Sequence, residues 1–233
     1  MTIYERALEY VADGDAIGLG SGHASSEFIR LLGERVRAGL RVRGVPTSQA
    51  SADLAKQVGI PLVTLAETLP LALTVDGADE VDPNLDMIKG YGRALVREKI
   101  VAASSRKLVI LVGPGKEVGQ LGQRGKLPVE VLPFALPLCM RRLKDLGLEP
   151  VAYQDNGKLF VSDNGNHILD CGTGPITHPG ELDAKIEAIP GVIGTGLFIG
   201  MADVVLVGDE HFGLIAQKRR VDLPDEREEL NPW

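Results

Sequence analysis

The sequence predicts an α/β fold: a mainly parallel sheet with helices on both faces, plus a smaller α+β domain. Three observations carry this. Short Val-, Ile- and Leu-rich runs alternate with segments of helical period through the first half of the chain. After Pro128 the pattern changes to hairpins and two helices. Aromatics make up only 4% of the 233 residues, which suits aliphatic strands covered by Ala- and Leu-rich helices. A chain of this length buries a substantial core without staples. The division this predicts is 1–128 with 204–233 for the main domain and 129–203 for the smaller one.

The first apolar run, Asp15 to Leu19, ends in glycines. Ser25 to Arg37 follows as a helix, with Phe28, Ile29, Leu32 and Val36 at helical spacing. Leu40 to Val45 reads as a strand, and Ser48 to Val58 as a helix that Ser48 caps. Pro61 to Leu65 and Leu71 to Val75 read as strands, Gly92 to Ser104 as a helix, and Lys107 to Val112 as a strand. Beyond Pro128, Val129 to Phe134 is β-like and Leu136 to Leu146 helical. Pro150 to Gln154 and Lys158 to Ser162 flank Asp155-Asn156-Gly157, a hairpin turn signal. A second turn, Asp163 to Asn166, precedes a strand at His167 to Cys171. Glu181 to Ala188 reads as a helix and Val192 to Phe198 as a strand, and Val204 to Val207 returns to the main sheet. The charged tail, Asp222 to Trp233, is expected to be poorly ordered or docked on a neighbour.

Composition excludes several functions. The net charge of −7 disfavours nucleic acid as a main partner, since a phosphate backbone would be repelled. No apolar run approaches the roughly 18 residues that a membrane span needs. The first fifteen residues mix charges early and hold no apolar signal core. Cys139 and Cys171 lack metal or redox spacing and read as free thiols in a reducing cytoplasm. His23, His167, His178 and His211 are dispersed, so no metal site is expected.

Gly18-Leu19-Gly20-Ser21-Gly22-His23-Ala24-Ser25 lies between a strand and a helix. Glycines admit a ligand close to the backbone, and the unpaired N–H groups at a helix start attract an anion, most often phosphate. His23 stands where a dinucleotide fingerprint has its third glycine, and no Gly-Lys-Ser/Thr follows, so this is neither that motif nor a P-loop. The plain alternative is a tight turn with no ligand.

A second candidate lies at the end of the Leu71–Val75 run, which leads into Asp76-Gly77-Ala78-Asp79-Glu80. Ligands of open α/β sheets bind outside the carboxyl ends of strands, where Asp76 and Asp79 would meet sugar hydroxyls or move protons. A solvated acidic turn is the bland alternative. In the next helix Ala94, Leu95, Val101 and Ala102 form one apolar stripe, and Glu98 lies within it. A carboxylate on an inward face must be paired, neutralised or functional, and burial raises its pKa toward the range of a general base. A structural ion pair is the competing reading. Lys89, in a glycine-bounded loop just before, supplies a cation for an enediolate oxygen or a phosphate.

With these residues in place, the chain resembles type A ribose-5-phosphate isomerases. The resemblance rests on Asp76-Gly77-Ala78-Asp79-Glu80, Ile88-Lys89-Gly90, Arg97 to Ala102, Leu127-Pro128-Val129-Glu130-Val131, Asp163 to Asn166 and Ile189-Pro190-Gly191-Val192. It runs in order from about Ala7 to Val207. It implies a Rossmann-like main domain, a homodimer or homotetramer, and cofactor-free interconversion of ribose 5-phosphate and ribulose 5-phosphate. By position, it implies Glu98 as proton acceptor, Asp76 and Asp79 on the sugar hydroxyls, and Lys89 on the developing oxyanion. Ser21, Gly22, His23 and Ala24, with Gly77, Ala78, Gly90, Tyr91 and Gly92, would line the substrate.

The chain also departs from the family pattern. The usual Gly-Thr-Gly-Ser-Thr is here Gly20-Ser21-Gly22-His23-Ala24, with two hydroxyls lost. The usual Gly-Gly-Gly is Gly90-Tyr91-Gly92, followed by Arg93. A lysine usual before Leu-Pro-Val-Glu-Val has no clear counterpart; Arg124 is the nearest equivalent and Lys126 the second. The competing functions are a non-catalytic sugar-phosphate binder, an isomerase for another aldose phosphate, and an acyl- or amino-sugar-processing enzyme on a similar scaffold.

Overall fold

The computed structural model of the chain describes residues 1–220. Helix α1 (Ile3–Leu8) starts in a capping box between Thr2 and Glu5. Strand β1 (Ala16–Leu19) is buried throughout and feeds α2 (His23–Arg37), whose Phe28, Ile29 and Leu32 face inward. Strand β2 (Arg43–Pro46) leads to α3 (Gln49–Gln57), capped by the Ser48 side chain on Ser51 N. Next come β3 (Leu73–Gly77), the short pair β4 (Glu80–Val81) and β5 (Met87–Ile88), α4 (Leu95–Ala103) and β6 (Leu108–Val112). The chain continues through β7 (Leu127–Val131), α5 (Leu136–Asp145), β8 (Glu149–Ala152), the hairpin of β9 (Gln154–Asp155) and β10 (Lys158–Leu159), and β11 (His167–Gly172). Then follow α6 (Pro179–Glu187), β12 (Val192–Thr195), β13 (Leu197–Phe198), β14 (Val204–Gly208) and β15 (Leu214–Arg219).

The main sheet has the order β15-β14-β6-β3-β1-β2. Its pairs are parallel except β14 with β15. Alternate side chains of β6 serve opposite faces. Val109 and Leu111 join Ile3, Phe28, Ile29 and Leu32 beneath α1 and α2. Leu108, Ile110 and Val112 join Ala102 of α4 and Phe198 of β13 on the other side. The fold is therefore α/β, with a mostly parallel sheet covered on both faces. A second sheet, β12-β7-β11-β8, is antiparallel and packs a core of its own against α5 and α6. A third, β13-β5-β4, is the junction. At Gly196 the chain passes from the second sheet to the third, its N–H donating to Pro128 O at 2.7 Å and its carbonyl accepting from Lys89 N at 2.9 Å.

Two family-like motifs prove to be partners in this frame. Glu130 of β7 is fully buried and accepts from Ser162 Oγ, Asn164 Nδ2 and Asn166 Nδ2 at 2.9–3.0 Å. Asp163 of the same turn accepts from Gln49 N at 2.7 Å, tying the second sheet to the start of α3.

Several elements differ from the sequence expectation. The strand expected at Pro61–Leu65 is a single bridge, Gly44 to Leu62, followed by a 3-10 turn at Leu65–Glu67. Glu67 ties itself back to Thr64 there, which favours the turn over further pairing. The run Val129–Phe134 begins at Leu127 and ends at Val131, because Pro133 opens a 3-10 turn. Val192–Phe198 is two strands, divided at the switch of sheets. Helix α1 and strands β4, β5 and β15 were not anticipated; three of them are short and the last is an edge. The tail Asp222–Trp233 lies outside the described residues.

Close packing of β1 on β3 depends on Gly18. A Cβ there would lie 1.9 Å from Thr74 Oγ1 and 2.6 Å from Val101 Cγ1. Gly18→Ala is expected to destabilise the fold by about 1–3 kcal/mol through overpacking. Urea unfolding checks this: the midpoint should fall with no change in slope, and an unchanged midpoint would count against the packing described.

Candidate active site

The site forms where β1 and β3 end side by side. Gly20 makes this approach possible, since a Cβ there would lie 2.2 Å from Asp76 Oδ1. Asp76 is 1% exposed. Its Oδ1 accepts from Ser21 N at 3.0 Å, Ser25 Oγ at 3.0 Å and Gly77 N at 2.8 Å. Its Oδ2 faces the Lys89 ammonium at 3.0 Å.

Lys89 is also buried, at 3%. It follows β5, and the Gly196 carbonyl anchors its backbone. Its Nζ donates to Gly77 O at 2.5 Å and lies 3.2 Å from Glu98 Oε2. The Phe198 ring sits 5.4 Å from the ammonium. Glu98, in the first turn of α4, is 3% exposed, and Leu95, Val101 and Ala102 of the same stripe are buried with it.

One ammonium thus serves two buried carboxylates. Three donors hold Asp76 Oδ1, two backbone N–H groups and one hydroxyl, and its Oδ2 meets Lys89 as an ion pair. Lys89 is the ion-pair partner of Glu98, whose Oε2 accepts no conventional hydrogen bond. A proton entering this trio therefore goes to Glu98. Burial raises the Glu98 carboxyl well above its ordinary value, the Lys89 charge pulls it down, and the Asp76 charge adds to the rise. Burial alone would lower Lys89, but the charges of Asp76 and Glu98 outweigh it and hold the ammonium above its ordinary value. The arrangement is a proton acceptor beside a permanent cation.

Above the trio is a cavity of about 270 Å³. Ser21, Gly22, His23, Ala24, Gly77, Ala78, Asp79, Lys89, Gly90, Gly92 and Glu98 line it. The glycine loop, the acidic strand end, the lysine loop and the glutamate thus meet in one place. One wall is the start of α2, which no side chain caps and whose N-cap, Gly22, has φ 90°. Its first-turn N–H groups are open to an anion whether or not positions 23 and 24 carry hydroxyls. His23 packs its ring 5.6 Å from Phe212, which also lines the cavity. Asp79 accepts from Tyr91 N at 2.9 Å, which orients its carboxylate.

Some candidates lie elsewhere. Asp76 stands behind Lys89 and is not part of the cavity lining. Tyr91 contributes its backbone to Asp79, while its hydroxyl donates to Lys126 O. Neither expected replacement for the family lysine lines the cavity. Arg124 donates to Gly115 O, and Lys126 pairs with Asp170 at 3.1 Å. Besides Lys89, the cation that lines the cavity is Lys116, 3.7 Å from Asp79 Oδ1, which is not among the residues expected from the sequence. Gly113-Pro114-Gly115-Lys116 follows β6, and a residue just beyond the carboxyl end of a parallel strand beside β3 was the available signal. Among the described residues no group of His, Cys, Asp and Glu could hold a metal ion.

The chain is similar to known proteins along most of its length. The family model of ribose 5-phosphate isomerase A (phosphoriboisomerase A) matches residues 43–211. Ribose-5-phosphate isomerase A of Gloeobacter violaceus is 51% identical over 210 residues, 90% of this chain and 91% of that protein. That of Roseiflexus castenholzii is 52% identical over 206 residues, 87% of this chain and 88% of the relative. Among solved structures, ribose 5-phosphate isomerase A of Methanocaldococcus jannaschii superposes with a TM-score of 0.88 at 40% identity, covering 94% of this chain and 96% of that one. A D-ribose-5-phosphate isomerase in complex with phospho-erythronic acid gives 0.89 at 36% identity, covering 93% and 96%.

The charge balance of the trio is testable without substrate. Lys89→Met leaves two buried carboxylates without their cation and is expected to destabilise the fold by about 3–5 kcal/mol at about pH 8. The variant's carboxyls bind protons more tightly than the wild type's, so the deficit should shrink toward about pH 5. Urea unfolding at the two pH values reads this, and a deficit independent of pH would contradict the trio.

Proposed function

The chain belongs to the ribose-5-phosphate isomerase A family, and we propose that its cavity interconverts ribose 5-phosphate and ribulose 5-phosphate with Glu98 as the base. The observation that carries the reading is the buried Glu98–Lys89–Asp76 trio, whose Glu98 and Lys89 line a cavity that has the uncapped start of α2 on its wall. Aldose–ketose isomerisation needs a base that takes a proton from carbon and returns it to the neighbouring carbon. It also needs a fixed positive charge beside the oxygens of the intermediate.

The phosphate sits at the uncapped start of α2, among the N–H groups of 22–25, with Lys116 opposite. This sets the sugar with C1 and C2 over Glu98. After ring opening, Glu98 removes the C2 proton, and the electron pair moves onto the carbonyl oxygen to give a cis-enediolate. Lys89 stabilises the negative oxygen. Asp79, held by Tyr91 N–H and close to Lys116, contacts the hydroxyls and exchanges the proton between the two oxygens. Glu98 then delivers its proton to C1. Asp76 acts through Lys89, fixing the ammonium so that Glu98 is free to cycle. A structural relative is in complex with phospho-erythronic acid, a phosphorylated sugar acid, which supports a sugar-phosphate substrate for this cavity. We infer further, from the family resemblance, that the enzyme is cytoplasmic and a homodimer or homotetramer; among the described residues no helix is long and apolar enough to cross a membrane.

Purified protein should convert ribose 5-phosphate to ribulose 5-phosphate with a chelator present. Glu98→Gln should lower kcat by about a hundred- to ten-thousand-fold, with KM little changed. Near-normal turnover in that variant would remove Glu98 from the role; no turnover by folded wild type would favour a non-catalytic binder. Lys116→Ala, losing a charged phosphate contact, should lower kcat/KM by about ten- to a hundred-fold. Steady-state kinetics measures it, and an unchanged value would place the phosphate elsewhere.

A further inference from the structure

The loop that carries Lys89 has little backbone support of its own. Lys89 N donates to Gly196 O and Arg93 N to Gly90 O, both at 2.9 Å. Gly90 has φ 109° and Arg93 has φ 69°, the left-handed region that a side-chain-bearing residue rarely adopts. Glycine would be the undemanding residue at position 93. The arginine is held there by its side chain.

The Arg93 guanidinium donates to both oxygens of Asp170, at 2.6 and 3.1 Å, and its centre lies 3.5 Å from the centroid of the Tyr153 ring. Such a fork on a carboxylate fixes orientation as well as distance. Lys126 reaches the same Asp170 at 3.1 Å and lies over the Tyr91 ring at 4.5 Å, while the Tyr91 hydroxyl donates to Lys126 O at 3.1 Å. Asp170 belongs to β11, Tyr153 follows β8 and Lys126 precedes β7. The antiparallel sheet therefore grips the loop at both 91 and 93. Burial would raise the Asp170 carboxyl, but the two cations hold it below its ordinary value.

None of these five side chains lines the cavity. Their link to it is the Tyr91 N–H, which donates to Asp79 Oδ2 at the first of the two gripped positions. We propose that Asp170 and Arg93 are positioning residues. Through the Tyr91 amide, their clamp sets the direction of the Asp79 carboxylate and hence its grip on the sugar hydroxyls. The proposal rests on the functional reading above for the role of Asp79.

Arg93→Gly separates the clamp from the fold, since glycine accepts φ 69° without strain. The unfolding midpoint should stay level or rise, kcat/KM should fall by about ten-fold, and the Tyr91 amide should exchange faster with solvent. Asp170→Asn should move kcat/KM and Tyr91 exchange in the same direction. In an Asp79→Asn background, Arg93→Gly should lower kcat/KM by less than about two-fold, because the group it orients is already altered. Wild-type kinetics with wild-type Tyr91 exchange would overturn the clamp, as would an equal loss in the Asp79→Asn background. If wild type fails to turn over ribose 5-phosphate, the functional reading falls, while Tyr91 exchange still decides whether the clamp exists.

Discussion

One buried ammonium shared by two carboxylates is the constraint on which the site depends. Lys89 lies 3.0 Å from Asp76 and 3.2 Å from Glu98, and all three side chains are almost wholly excluded from water. A single charge cannot neutralise two anions, so the surroundings decide which carboxylate keeps its charge. Asp76 has three further donors. Glu98 is left as the group that we propose takes up and releases the proton. The cation and the proposed base are thus set by one interaction: burial raises the Glu98 carboxyl well above its ordinary value, and the Lys89 charge opposes that rise.

Much of the fold serves to bring those three groups together. Asp76 comes from a central strand, Lys89 from a loop after a two-residue strand, and Glu98 from the first turn of a helix. Two of them depend on a close approach. Gly20 lets the β1 end sit against Asp76, and Gly196, where a Cβ would lie 2.3 Å from Lys89 O, lets β13 pass behind the lysine. The second sheet is part of this device, because its strand β12 continues directly into β13. It also holds the far side of the lysine loop through Asp170 and the α3 side through Asp163.

The fold class and the inward-facing Glu98 were legible because hydrophobic period fixes which side of an element is buried. A carboxylate inside the Leu95–Val101–Ala102 stripe announces itself in the sequence. The glycine loop and Asp79 were legible for a second reason: strand ends of a parallel sheet converge on one crevice. What the sequence hid were relations across the sheet. Nothing local says that Asp76 would turn toward Lys89 and away from the cavity, since that depends on Ser25 and Gly20 standing beside it. That Lys116 reaches the cavity wall, while the Lys126 and Arg124 side chains are engaged by Asp170 and Gly115, is likewise a relation between loops that neighbourhood in the sequence does not show. The strand expected at 61–65 failed for a similar reason, as an apolar run has no strand without a partner edge that it can follow.

The most direct test of the account is the pH dependence of kcat/KM for ribose 5-phosphate isomerisation by wild type, with Glu98→Gln alongside. The trio requires an acid limb set by one ionisation well above the ordinary carboxylate range, and the loss of that limb in the residual rate of the variant. An acid limb in the ordinary carboxylate range, or one that survives in Glu98→Gln, would contradict a base made by burial and held beside Lys89.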